Sequence, residues 1–83
     1  MSKLNSLLNL KINEIAIIDS YNLAEIGSTR LQEMGLIPGN KVRLIKKAPF
    51  NGPIEIKLKG FYLSLRRDIA GKIKIKKNEY VSK

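Results

Sequence analysis

Between residues 41 and 77 apolar and polar residues alternate in short runs that glycine and proline keep cutting off. Ile54, Ile56 and Leu58 alternate with Glu55, Lys57 and Lys59; Phe61, Leu63 and Leu65 alternate with Tyr62 and Ser64; Ile73 and Ile75 sit between lysines. A period of two puts every second side chain on one face of an extended chain, so each run predicts a short strand with Ile54, Ile56, Leu58, Phe61, Leu63, Leu65, Ile73 and Ile75 inward. Val42 and Leu44 predict a further strand over 41–48, where Ile45 breaks the alternation and marks a bulge or bend. Ile15 and Ile17, on one side of 14–18, predict the first strand. Five short antiparallel strands leave sticky edges unless the sheet curls on itself. The expected fold is therefore mostly β: a small, closed or nearly closed barrel of about five antiparallel strands.

The connections fit that picture. Residues 22–34 predict one helix after the first strand, with Leu23, Ile26, Arg30, Leu31 and Met34 recurring at steps of three and four. Asn22 can cap it, and Glu25 stands where a capping box wants an acid. Gly27 weakens the middle, which leaves open a later start at Ser28 or Thr29, with Gln32 completing the box for Thr29. Gly35 occupies the left-handed position after a helix, with Leu36 as its hydrophobic contact and Pro38-Gly39 as a turn. Pro49-Phe50-Asn51-Gly52-Pro53 predicts a hairpin turn centred on Asn51-Gly52 and stiffened by its two prolines. Gly60 marks a kink or tight turn, and residues 66–71 one helical turn ending at Gly71. Leucines 4, 7, 8 and 10 have helical spacing over barely two turns, so residues 1–9 read as a lead-in to a domain over 10–77, with a fraying tail at 78–83.

Chemistry is bounded by what is missing. The chain of 83 residues contains no histidine and no cysteine. That removes the commonest general base, the commonest thiol nucleophile and the best transition-metal ligands together. The carboxylates at 14, 19, 25, 33, 55, 68 and 79 form no pairing motif, and the glycines form no phosphate-binding pattern. No catalytic residue, cofactor or resident metal is expected; the chain reads as a binding protein. No run approaches the roughly 18 apolar residues of a membrane span. The N-terminus is too short and polar for a signal peptide, so a cytoplasmic location is expected.

The formal charge of +9 is unevenly placed. Residues 1–40 carry Lys3, Lys11 and Arg30 against Glu14, Asp19, Glu25 and Glu33, whereas residues 41–77 carry twelve basic residues against Glu55 and Asp68. Such a field suits nucleic acid, an anionic membrane surface or an acidic protein. The plainer reading is solvated lysines on outward strand faces. For nucleic acid, Phe50, Phe61, Tyr62 and Tyr80 are the stacking candidates. Against it, Phe61 falls on the inward pattern, and twelve lysines outnumber four arginines where base reading prefers arginine.

Three stretches in register carry more information: Arg30-Leu31-Gln32-Glu33-Met34-Gly35-Leu36-Ile37-Pro38-Gly39, then Ala48-Pro49-Phe50-Asn51-Gly52-Pro53-Ile54-Glu55-Ile56, then Gly60-Phe61-Tyr62-Leu63-Ser64-Leu65-Arg66. Their order and spacing, from about residue 10 to 77, resembles the FeoA family of small cytoplasmic proteins of bacterial ferrous iron transport. The resemblance implies an SH3-like barrel and a role beside the FeoB-type membrane transporter, whose cytosolic part binds GTP. A departure is Asn13 where the family would hold glycine; asparagine tolerates the left-handed backbone such a turn needs.

The resemblance implies an adaptor or regulator that contacts the FeoB-type transporter, at its cytosolic GTP-binding domain or its membrane part. It would lie at the inner face of the plasma membrane through that partner. Leu36, Ile37 and Pro38, the tip Pro49, Phe50, Asn51 and Gly52, and the cations Arg66 and Arg67 are the candidate contacts. Contact with the anionic inner leaflet and self-association through a barrel edge are further expectations; nucleic acid is the alternative partner.

Overall fold

The computed structural model describes residues 5–27 and 29–77. The expected tail at 78–83, with Tyr80, and the alternative cap Ser28 lie outside the described residues. All five expected strands are present: β2 (Ile15–Ser20), β3 (Lys41–Lys47), β4 (Ile54–Leu58), β5 (Phe61–Leu65) and β6 (Lys74–Lys77). A short β1 (Asn5–Ser6) adds to them. One antiparallel sheet results, ordered β1-β6-β2-β3-β4-β5. Its register slips between Leu44 and Lys46, where Ile45 broke the alternation, and again between Ile18 and Ser20. Such irregularities bend and twist strands, so the sheet curls around a single core as an SH3-like barrel.

Leu7, Leu10, Ile18, Leu36, Val42, Leu44, Ile54, Ile56, Leu58, Leu65, Ile73 and Ile75 fill that core, with Ala16, Ile26 and Ala70 among them. The alternation of β3, β4 and β6 is realised as read. Two runs differ. In β2, Ile15 and Ile17 share a face, but it is the outer one; Ala16 and Ile18 are buried. Parity is set by pairing, and Ala16 is the partner of buried Val42 while Ile15 faces Arg43. A strand apolar on both faces hides that choice from the sequence. In β5, Phe61 was expected inside, yet it is 45% exposed. It opens the edge strand opposite Leu58, beside the Gly60 turn, where no further strand covers it.

The expected helix over 22–34 is two separate turns, α1 (Leu23–Ile26) and α2 (Arg30–Glu33). Asn22 caps α1 through a side-chain bond from the Ala24 N–H (2.9 Å). Gly27, at φ +77°, then ends it by turning left-handed, a conformation glycine reaches without the Cβ clash. Thr29 precedes α2 without a side-chain cap, so the expected Thr29–Gln32 box does not form. Gly35 is left-handed as read (φ +102°), and Asn13 takes the left-handed turn as well (φ +71°).

Residues 5–10 are part of the domain and not a lead-in. Ser6 and Asn9 cap each other: the Ser6 hydroxyl accepts from the Leu8 N–H (3.1 Å), and the Asn9 carbonyl from the Ser6 N–H (3.0 Å). That turns the chain inward at fully buried Leu7, whose N–H bonds Ile73 O (3.1 Å). The turn packs on α3 (Arg67–Ala70), so sequence-distant pieces cover the barrel end.

Tyr21 holds the loop before β3. Its hydroxyl donates to Leu36 O at 2.6 Å, while Asn40 Nδ2 donates to Gly35 O at 2.9 Å. Tyr21→Phe leaves the half-buried carbonyl without its donor. Thermal denaturation should show a loss of about 1 kcal/mol, or a midpoint lower by about 5 °C.

Candidate functional site

The candidate residues fall into two groups set apart by the length of β3. The Leu36–Pro38 loop precedes that strand and the 49–52 tip follows it. Lys41 to Lys47 spans six steps, roughly 20 Å at about 3.3 Å per residue. In the first group Leu36 is fully buried, which withdraws it as a contact: its side chain closes the core where the helical turns end. Ile37 and Pro38 stay exposed. The structure does not bring them to the tip.

The second group does come together. The turn was read as centred on Asn51-Gly52. Instead the two left-handed residues are Phe50 (φ +59°) and Asn51 (φ +61°), the pattern of a type I′ turn, closed by Gly52 N–H to Pro49 O at 3.1 Å. Gly52 serves a different need. A Cβ there would stand 2.8 Å from Ala48 Cβ, so the hairpin crosses itself too closely for any side chain. The left-handed pair thus stands one residue earlier than Asn51-Gly52 and includes a phenylalanine.

Phe50 is thereby both strained and bare. Its side chain is 98% exposed. A non-glycine residue at positive φ costs about 1–2 kcal/mol, and nothing in the fold repays this one with burial. Asparagine or glycine would serve the turn better.

Arg67 makes the tip rigid. Its Nε donates to Gly52 O at 2.9 Å and its Nη2 to Ala48 O at 3.3 Å, so one guanidinium pins both strands of the hairpin base from α3. Read from the sequence as a candidate contact, Arg67 is half-buried and its guanidinium is used within the fold. Nothing in the sequence spacing links positions 67, 52 and 48; that contact is tertiary. Arg66 remains outward, 3.5 Å from Asp68 in an exposed pair worth little. Arg67→Ala should cost about 2 kcal/mol in chemical denaturation. Arg67→Lys should recover less than half, because an ammonium does not reproduce the planar fork.

Among the described residues no group of three or more carboxylates gathers to hold a metal ion, and no helix is long and apolar enough to cross a membrane.

Comparison with known proteins follows this geometry. The FeoA domain model matches residues 5–77, which include the β1 strand and the turn after it. A FeoA-like protein from Clostridium acetobutylicum shares the fold at a TM-score of 0.78 with 26% identity, over 94% of this chain and 91% of that one. The FeoA protein of Chlorobium tepidum gives 0.79 with 30% identity, over 88% and 70%. The manganese-activated repressor ScaR contains the same fold at 0.71 and 23% identity; this chain matches 88% of its own length but 35% of the repressor's. No curated protein sequence matches significantly. With its family match spanning nearly the whole chain, and with the three quoted stretches placed on one barrel, this protein belongs to the FeoA domain family.

Proposed function

We propose that this protein is a small accessory factor of bacterial ferrous iron uptake that docks on an FeoB-type transporter from the cytosolic side and adjusts its activity by contact. Membership of the FeoA family, associated with ferrous iron transport, supplies the pathway. The observation that carries the docking reading is Phe50: fully exposed, held in a costly backbone conformation, on a hairpin pinned by Arg67. Interface hot spots are typically aromatic anchors that enter a partner's pocket, and a rigid mount reduces the entropy lost on docking. The tip supplies both. The lack of histidine and cysteine suits a contact protein for which Fe²⁺ is the transporter's cargo.

Titration of the full chain against the same organism's transporter, both as its isolated cytosolic domain and whole in nanodiscs, tests this. At about physiological salt, roughly 0.15 M, saturable binding to either form and none to a random short duplex is expected. Binding to the duplex alone, fading steeply with salt as phosphate contacts do, would replace the reading with the nucleic-acid one. Binding to neither transporter form would end it.

A further inference from the structure

The far end of the β3–β4 hairpin from Phe50 carries a feature that docking at the tip leaves unused. A surface groove of about 510 Å³ lies there, and its rim carries Lys41, Arg43, Lys57 and Lys59. No carboxylate lines it; half-exposed Ile15 gives it a small apolar edge, and Val42 and Leu58, buried in the core, form its floor through their backbone. All four cations are exposed, and none forms an ion pair among the described residues. Lys57 is engaged otherwise, its Nζ 5.4 Å from the centre of the Tyr62 ring on β5.

The arrangement costs stability. Arg43 and Lys57 are direct cross-strand partners, and like charges placed opposite one another destabilise a sheet. The same register carried two residues further brings Lys41 toward Lys59 at the strand ends. A neutral residue in place of Arg43 would remove the direct like-charge pairing with Lys57. The nearest acid on the same face of β4, Glu55, is paired with Lys46 on the other side of the bulge and does not enter the groove.

We infer that this groove is a binding site for a small-molecule ligand bearing two or more phosphate groups. The volume lies in the range of small-molecule sites. The charge density selects the ligand class. Neighbouring strands stand about 4.8 Å apart and alternate residues about 6.6 Å apart, so four cations crowd into a patch a single ligand can span. An extended acidic peptide also sets same-face carboxylates about 6.6 Å apart, so it brings only about two charges to the span of that patch. Adjacent phosphates, with one charge on each bridging group and between one and two on a terminal one, bring more in a shorter span. The site needs no glycine loop, because side-chain cations and not backbone N–H groups supply the field. Half-exposed Ile15, beside Arg43, leaves a small apolar edge next to the phosphates.

Backbone-amide NMR of the full chain, titrated separately with pyrophosphate, ATP without magnesium, sulfate, a short polyglutamate peptide and anionic phospholipid vesicles, tests the inference. Pyrophosphate and ATP should produce saturable shifts centred on residues 39–43 and 57–59, and sulfate shifts at least tenfold weaker. Tighter binding of ATP than of pyrophosphate would assign the source as a nucleotide; equal binding would assign free oligophosphate. Arg43→Gln with Lys57→Gln should weaken both at least tenfold while raising the thermal midpoint by about 2 °C, as relief of like-charge repulsion requires. Lys72→Gln, outside the groove, should change neither. Shifts spread evenly over β6 and the groove, stronger binding of polyglutamate, binding to vesicles alone, or no saturation by millimolar pyrophosphate would each overturn the assignment. The transporter takes no part, so this result and that of the docking experiment are independent.

Discussion

Phe50→Asn is expected to make the protein more stable and less functional at once. Asparagine tolerates the left-handed backbone that position 50 adopts, and the substitution removes a side chain with no native packing to lose. The unfolding free energy should rise by about 0.5–1 kcal/mol, seen as a thermal midpoint higher by about 3–6 °C. Affinity for the transporter should fall by about 30- to 150-fold, the equivalent of about 2–3 kcal/mol for a buried aromatic anchor. A residue kept only for the turn would show the first effect without the second. Phe50→Leu, which keeps an apolar anchor and the backbone strain, should retain part of the affinity and none of the added stability. Circular dichroism melts and one titration series read both quantities on the same samples.

The second large effect lies in the core. Ile56 is fully buried, pairs across the sheet with Leu44 on β3 and Leu63 on β5, and sits in the middle of the hairpin that presents the tip. Ile56→Ala removes three carbons from a close-packed site bounded by strands that cannot collapse inward. The expected cost is about 4 kcal/mol. A domain of 83 residues has roughly 4–12 kcal/mol in total, so the variant should lose about 20 °C of thermal midpoint or fail to fold at growth temperature. Ile56→Val should cost about 1 kcal/mol. If Ile56→Ala melted within a few degrees of the parent, the hairpin would not be the centre of the core.

Legibility in the sequence followed physical locality. Strands β3, β4 and β6 could be read because one face is apolar and the other charged, which fixes parity. β2 is apolar on both faces, so its inward side waited on the pairing of Ala16 with Val42. Phe61 lies on the inward parity of β5 but at an uncovered edge, and a period of two carries no information about coverage. The bulge near Ile45 and the left-handed Asn13 were visible because each breaks or bends a local rule. At the tip, the Asn51-Gly52 signal named the turn but not its phase. The phase became readable only in the structure, where Phe50 and Asn51 are the left-handed pair and Gly52 lies close against Ala48. The half-buried role of Arg67 and the gathering of Lys41, Arg43, Lys57 and Lys59 are tertiary facts, reachable only once the hairpin register is known.

The place of residues 5–10 in the domain was hidden from the sequence for a similar reason. Four leucines in seven residues look like a weak helix when read alone. The burial of Leu7 comes from β6 and α3, sixty or more residues away in the chain, with its N–H bonded to Ile73 O.

The central claim is that the tip aromatic is what enters the transporter. Site-specific photocrosslinking tests it most directly: a photoreactive phenylalanine analogue at position 50, in cells growing on ferrous iron, with the same analogue at exposed Leu23 as the control. Position 50 should crosslink to the FeoB-type transporter and position 23 should not. A crosslink from position 23 and none from position 50, or equal capture from both, would contradict it.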